Sequence, residues 1–575
     1  MGLAFVGVMV IVLMVAVTGL SRKLGVAAPL LLVVVGLALS YAPGVPAIEV
    51  PHEWILTVVL PPLLYAAAIK VPVIDFRRNL GAITSLSVVL VLVSALVTGL
   101  VLYALLPDLH LAAAIALGAV VSPPDAVAAT SIGKRLGLPP RLVTVLEGEG
   151  LVNDATALVL LRSALAVAAG TMSGVWGGIA DFGYAVVVAV AVGLLVGVVT
   201  VAVRSTIHDP VLDTALSFVV PFLAFIPAEE LGASGVLAVV VAGLYTGHRS
   251  ASVLDAPARI SDDVNWRTVQ FLLENAVFLL MGLELRHLVE DIDQNLLSIP
   301  HTVLIGLLVT AVLIAIRVSW VFPLVLLLRR RAGRAERRTM RLWLGLDPAS
   351  AHPADPRQER RRRLRQRVYA QRRADLEQER REGLGWRGAV VLGWSGMRGV
   401  VTLAAAQSLP GSVPYREQLV LIAFTVAVTT LLLQGGTLPV LIRALGIRGV
   451  DSTADLRESA ALFDEIADAG LRILDAPGAV LGAGTAVDPD VVERVRQDTF
   501  LRSESTWERA HAHEEKDAPT PHHQYRQLRL AVVRTEREAL LAARREGKYP
   551  SRVLSDAQRI LDVEEARLRP RAAGH

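Results

Sequence analysis

The chain contains no cysteine. Disulfides, thiolate chemistry and cysteine metal sites are therefore excluded. It also lacks a phosphate-binding glycine loop. The GxG at Gly148–Gly150 sits inside an apolar segment without a strand–loop–helix setting, so ATP-driven pumping has no support. No serine–histidine pair stands within the apolar segments, which argues against an intramembrane enzyme. The opening residues, MGLAFVGVMVIVLMVAVTGL, have no basic n-region and no clear cleavage site, and read as a first span rather than a removed leader. Charge is sparse: 19% of the 575 residues are charged and 53% are hydrophobic, with a mean hydropathy of +0.52. The net charge of +4 suits basic cytoplasmic loops better than a nucleic-acid partner.

What is present is a series of apolar runs of bilayer-crossing length. Thirteen spans are predicted, near residues 3–20, 25–42, 54–69, 81–106, 111–130, 142–169, 174–203, 210–227, 232–247, 269–285, 301–328, 389–408 and 417–442. Basic residues gather after the odd-numbered spans, as at Arg22 and Lys23, Lys70, Lys134 and Arg135, Arg204, and throughout 329–388. The even-numbered loops carry acids, as at Glu49, Asp108, Glu229, Glu230 and Asp291. Basic loops stay in the cytoplasm, so the N-terminus is expected outside and the C-terminus inside a cell membrane. Two further parts are polar. The arginine-rich loop 329–388 is a solvated positive-inside loop or, on a sharper reading, a surface for anionic lipid. The segment 446–575 reads as a helical cytoplasmic domain after a membrane domain of residues 1–445. In it, Leu456, Leu462, Phe463, Ile466 and Leu474 suit one buried helix face. His511, His513, His522 and His523 read as an exposed linker, with a pH-sensing role as the alternative.

Two aspartates fall within the spans. A charge at membrane depth costs several kcal/mol and persists where it faces a cavity, ion or partner. Asp125 follows Pro123-Pro124, which remove two N–H donors and must break their helix. Freed carbonyls and the Asp125 carboxylate would form an oxygen-rich cation site lining a cavity. Capping of the second half-helix by Asp125 is the plainer reading, and both can hold. In span twelve, Gly393, Gly396 and Gly399 interrupt an apolar run around Arg398. Two interrupted spans seven apart run in opposite directions, the layout of an inverted-repeat transporter. The fold class is thus an all-α polytopic membrane protein of about 13 transmembrane helices, with inverted repeats, two interrupted crossing helices and a helical tail.

Asp154 is the leading ion carboxylate. Desolvation favours the neutral form of a buried acid, so a proton and a metal cation compete for it. Asn153 places a neutral amide where a second acid could stand, which makes one-for-one exchange electroneutral. Glu149 needs its own partner, and Arg398 is the expected one in a structural ion pair. Arg162 and Arg317 are further intramembrane charges without an assigned partner.

EGEGLVNDATALVLLR resembles the EGESLxNDAxALVLF signature of the sodium/proton exchangers, the NhaP/NHE branch of the monovalent cation:proton antiporters. VSPPDAVAAT, WSGMRGVVTLAAA, LPPLLYAAA, GASGVLAVVVAGLYTGHR, NAVFLLMGLEL and TLLLQGGTLPVLIRALGI are similar to that branch's further motifs, in order, over roughly residues 1–445. The resemblance implies a homodimer in lipid that alternates access and exchanges Na+, or Li+ or K+, for H+, with no cofactor. By motif match it implies Asp154 as main ion and proton ligand and Asp125 and the Pro124 backbone beside the ion. It likewise implies Asn153 as the electroneutral signature and Glu149–Arg398 as the buried pair. Gly150 departs from the family serine, Pro124 from a threonine and Ala66 from the glutamate of some members. A K+/H+ antiporter and a channel-like cation protein remain the alternatives.

Overall fold

Helix starts and stops follow the punctuation of the sequence. Proline opens or nearly opens the helices that begin at Ala28, Pro140, Pro210 and Ala256, where its missing N–H has no intrahelical partner to lose. Asp125, Asp209 and Ser234 accept backbone N–H bonds at the starts of the next helices. Gly137, at φ +69°, lets the chain reverse between the two helices that carry Asp125 and Asp154.

The computed structural model describes residues 2–24, 27–42, 51–170, 174–290, 292, 296–344, 385–447, 452–475, 488–512, 521–546 and 551–568. Among these residues there is helix and no strand. The helices that matter below are α1 (Gly2–Leu24), α2 (Ala28–Ser40), α3 (Leu60–Ala68), α4 (Leu80–Leu105), α5 (Leu111–Val121), α6 (Ala126–Arg135) and α7 (Pro140–Ala168). They continue with α8 (Gly174–Arg204), α9 (Pro210–Glu230), α10 (Gly235–Val253), α11 (Ala256–Leu283), α12 (Ile299–Leu344), α13 (Trp386–Trp394), α14 (Val400–Gln407) and α15 (Arg416–Ala444). The predicted spans fall on these helices, 111–130 on both α5 and α6 and 389–408 on both α13 and α14, and among the described residues eight helices are long and apolar enough to cross a membrane. Large apolar side chains such as Val187, Leu195, Leu304 and Val440 face outward, a surface that only lipid covers without cost.

The chain divides into two units, Met1–Ile447 and Arg448–His575. The first packs around two apolar cores. One joins α1, α2, α4 to α7 and α11 to α15; the other joins α3, α8 to α10 and, through Trp266, α11. Helix α7 serves both: Val145, Leu146 and Leu161 enter the first core, and Leu151 and Ala155 the second. Asp154 therefore sits on the seam between two packed bodies.

The second unit holds α16 (Ser452–Leu471), α17 (Pro489–Ala512), α18 (Pro521–Glu546) and α19 (Ser551–Leu568). Arg529 donates to Glu564 at 2.7 Å, and Arg537 pairs with Asp562 and Glu565, tying α18 to α19. The apolar stripe of α16 is not the buried face the sequence suggested: Leu462 and Ile466 are 54% and 55% exposed, and Ala460 is the buried contact. Alanine allows close helix approach, which turns the bulkier stripe outward. Residues 345–384 of the basic loop, and His513, lie outside the described residues.

Candidate functional site

The two predicted breaks exist and meet. Between α5 and α6 the helix is lost over Ser122–Asp125, and between α13 and α14 over Ser395–Gly399. The Asp125 N–H donates to the Met397 carbonyl at 2.6 Å, binding one break to the other. Broken helices leave carbonyls without partners at one end and N–H groups at the other. Here the carbonyl ends are taken by arginines. Arg398 Nε donates to the Val121 carbonyl at 3.0 Å and Nη2 to the Ser122 carbonyl at 3.3 Å, and Nη1 bonds the Gly396 carbonyl. Its own N–H donates to Thr430 Oγ1 at 3.0 Å. Arg317 Nε donates to the Leu392 carbonyl, near the end of α13, at 3.0 Å. Each first half-helix thus ends on a guanidinium, which also suits the negative end of its dipole.

The N–H ends face Asp125. Its Oδ1 accepts from Val127 N–H at 2.8 Å and caps α6. Its Oδ2 lies against Gly399, where an added Cβ would come within 2.3 Å of that oxygen. Glycine at 399 is what lets the carboxylate approach the start of α14 this closely.

Helix α7 crosses this junction. Asn153 is fully buried; its Nδ2 donates to the Pro124 carbonyl at 2.6 Å and its Oδ1 accepts the Asp154 N–H at 2.7 Å. Both ends of the amide are engaged, so Asn153 is a strut between α7 and the break, and the Pro124 carbonyl already has one of its two acceptor positions filled. Asp154 follows immediately, half-buried and close enough to Asp125 for the two carboxylates to interact. Among the described residues no donor reaches the Asp154 carboxylate. The site therefore offers one unengaged carboxylate and a second, partly engaged one, beside backbone oxygens. Oxygen donors of this kind match a hard cation or a proton.

One expected pair is corrected. Glu149 is held by Arg317, not by Arg398: Nη1 and Nη2 donate to Oε1 at 2.5 Å and Oε2 at 2.8 Å, with both side chains 2% exposed. The fork geometry engages both oxygens of the carboxylate, while the carbonyls of Val121, Ser122 and Gly396 occupy Arg398. Arg162 pairs with Glu229, whose Oε1 also accepts the Gly235 N–H at 2.8 Å. Lys134 at the end of α6 meets Glu147 at 2.6 Å. Sequence singled out Arg317 as a buried charge but contained no cue to its partner. It gave no cue to Thr430 or to the Met397 carbonyl. Gly150 has a steric explanation: a Cβ there would stand 2.4 Å from the Ala126 Cβ.

The sequence family described as "Sodium/hydrogen exchanger, transmembrane" matches residues 9–444. The chain belongs to this family. An uncharacterized Na(+)/H(+) exchanger of Mycobacterium tuberculosis is 29% identical over 99% of the chain and 97% of its own length. A sodium, potassium, lithium and rubidium/H(+) antiporter of Bacillus pumilus is 26% identical over 76% of the chain and 61% of its own length. The sodium proton antiporter MjNhaP1 of Methanocaldococcus jannaschii at pH 8 has a similar fold, with a TM-score of 0.53 and 17% identity over 77% of the chain and 98% of that structure. The exchanger fold, its two breaks and the Asp125–Asp154 junction thus occur within one family-matched unit.

Proposed function

We propose that this protein exchanges a monovalent cation, Na+ in the first place, for H+ across the cell membrane, one for one, through Asp154. The observation that carries the proposal is the Asp154 carboxylate: it lies beside Asp125 where both broken helices meet, and among the described residues no donor engages it. An anionic carboxylate in an apolar setting is stabilised by a bound cation or a bound proton, and one excludes the other. Asp125 contributes an oxygen while its Oδ1 stays committed to Val127 N–H, and among the described residues only Asn153 donates to the Pro124 carbonyl. Asn153 adds no charge. Loading with Na+ or with H+ then brings the carboxylate to the same net charge, and the cycle moves no net charge across the membrane.

The remaining parts of the proposal follow from the sequence. All thirteen segments cross the bilayer, with the two interrupted helices as counterparts in an inverted repeat. The N-terminus lies outside and the basic loops lie inside. The chain works as a homodimer in lipid, with access to Asp154 alternating across the seam between the two cores. Breadth toward K+ and Li+ is supported by the likeness to the sodium, potassium, lithium and rubidium/H(+) antiporter of Bacillus pumilus.

The test is proton flux in proteoliposomes with an imposed pH gradient, adding Na+, Li+ and K+ in turn, with and without a potassium/valinomycin clamp. The expected result is cation-triggered proton movement that ignores the clamp and is lost in Asp154→Asn. Flux that survives the substitution would overturn the site. Cation flux without proton movement would point to a channel.

A further inference from the structure

Beyond Asp154 and Asp125, one more acid lies within electrostatic reach of the junction. Glu274, on α11, lies within electrostatic reach of Asp125, Lys70 and Lys134. It is not isolated. Gln270 Nε2 donates to Glu274 Oε1 at 2.6 Å, and Lys70 Nζ donates to Gln270 Oε1 at 2.5 Å. This chain of side chains starts at the end of α3. Lys70 there lines a cavity of about 130 Å³, with Arg204, Arg259, Asp262, Asp263 and Thr246 also on its wall. The cavity wall is part polar and part apolar, Ile69 and Leu254 also lining it, with room for several waters. Burial pulls the Lys70 ammonium below its usual range, and Glu274 and Asp263 hold it up. Among the described residues, only Gln270 Nε2 donates to the Glu274 carboxylate, at Oε1, which leaves Oε2 without a protein donor.

We propose that Glu274 is a positioning acid for the transported cation on the cytoplasmic approach, passing it between the Lys70 cavity and Asp125. The inference rests on the exchange function and sidedness proposed above. A carboxylate ahead of a binding site raises the local cation concentration and the rate of arrival. Lys70, at the far end of the same chain, opposes it and sets its strength through Gln270. The arrangement is one-sided: Glu274 interacts with Lys70 and Lys134, while Arg162 pairs with Glu229. Its removal should therefore weaken capture from one face of the membrane alone.

The experiment measures the apparent KM for Na+ and the maximal exchange rate in everted and in right-side-out vesicles. Wild type is compared with Glu274→Gln, Glu274→Asp and Lys70→Gln. Glu274→Gln is expected to raise the KM roughly five- to tenfold at the cytoplasmic face, the size expected for one partly screened charge, with the outer-face KM and maximal rate unchanged. Glu274→Asp should keep the wild-type KM within about twofold. Lys70→Gln should lower the cytoplasmic KM. An unchanged cytoplasmic KM in Glu274→Gln, an equal rise at both faces, or a lost maximal rate at constant KM would overturn the inference. So would a Lys70→Gln effect of the same sign as Glu274→Gln, which decides the matter even if Glu274→Gln folds poorly. Absence of exchange in wild-type vesicles would instead remove the underlying function.

Discussion

At the scale of single residues, the site is built from a contrast between engaged and unengaged oxygens. Asp125 caps a helix and Asn153 braces a break, while among the described residues no donor reaches the Asp154 carboxylate. If cation and proton compete for that one carboxylate, acidification raises the apparent KM for the cation, by up to about tenfold per pH unit in the acidic limit. A KM that stays flat between pH 6 and 8.5 while exchange persists would separate the proton step from Asp154. Gly150 carries a second expectation. Gly150→Ser, which restores the family residue, drives a side chain into Ala126 Cβ. It should cost about 1–3 kcal/mol and lower the thermal midpoint of the detergent-solubilised protein; an unchanged midpoint would show that α6 and α7 part easily. The sequence made Gly150 look like a missing ligand, because a motif compares side chains and carries no record of the neighbour two helices meet through.

At the scale of elements, the two broken helices were legible and their wiring was not. Pro123-Pro124 and the glycines around Arg398 disrupt hydrogen bonds within their own segment, so the breaks can be read locally. Which arginine faces Glu149 depends on how α12 packs against α7, and Arg317 is 168 positions away. The correction has a measurable consequence. Arg317→Ala leaves Glu149 buried without a partner and should destabilise the protein by about 3–5 kcal/mol. Glu149→Leu in the same chain should recover much of that loss. Arg398→Ala uncovers carbonyl ends instead, so adding Glu149→Leu to it should make matters worse. A thermal-shift cycle in which Arg398, not Arg317, couples to Glu149 would refute the pairing.

At the scale of the whole molecule, the division at Ile447 implies separable stability. A chain ending at Ile447 should remain monodisperse in detergent and retain cation-triggered proton exchange; collapse of that truncated form would show that α16 to α19 complete the membrane unit's folding. The sequence places its boundary at 445/446 because hydropathy changes abruptly after Ile442 and apolar length is dictated by the bilayer. The arrangement of α16 was less readable. Its leucines and phenylalanine match a helical period, but a period identifies a face without naming what lies against it, and here alanine takes the contact.

The contact between Gly150 and Ala126 also constrains how such a chain can change over generations. A serine at 150 is reached by a single substitution, yet that step enters through a clash with a methyl group that has no rotamer to move into. Ala126→Gly first opens the space, at the mild entropic disadvantage of glycine near a helix start; the hydroxyl can then follow. The two positions are therefore coupled: a side chain at 150 enters against the methyl at 126, and its cost falls once that methyl is lost.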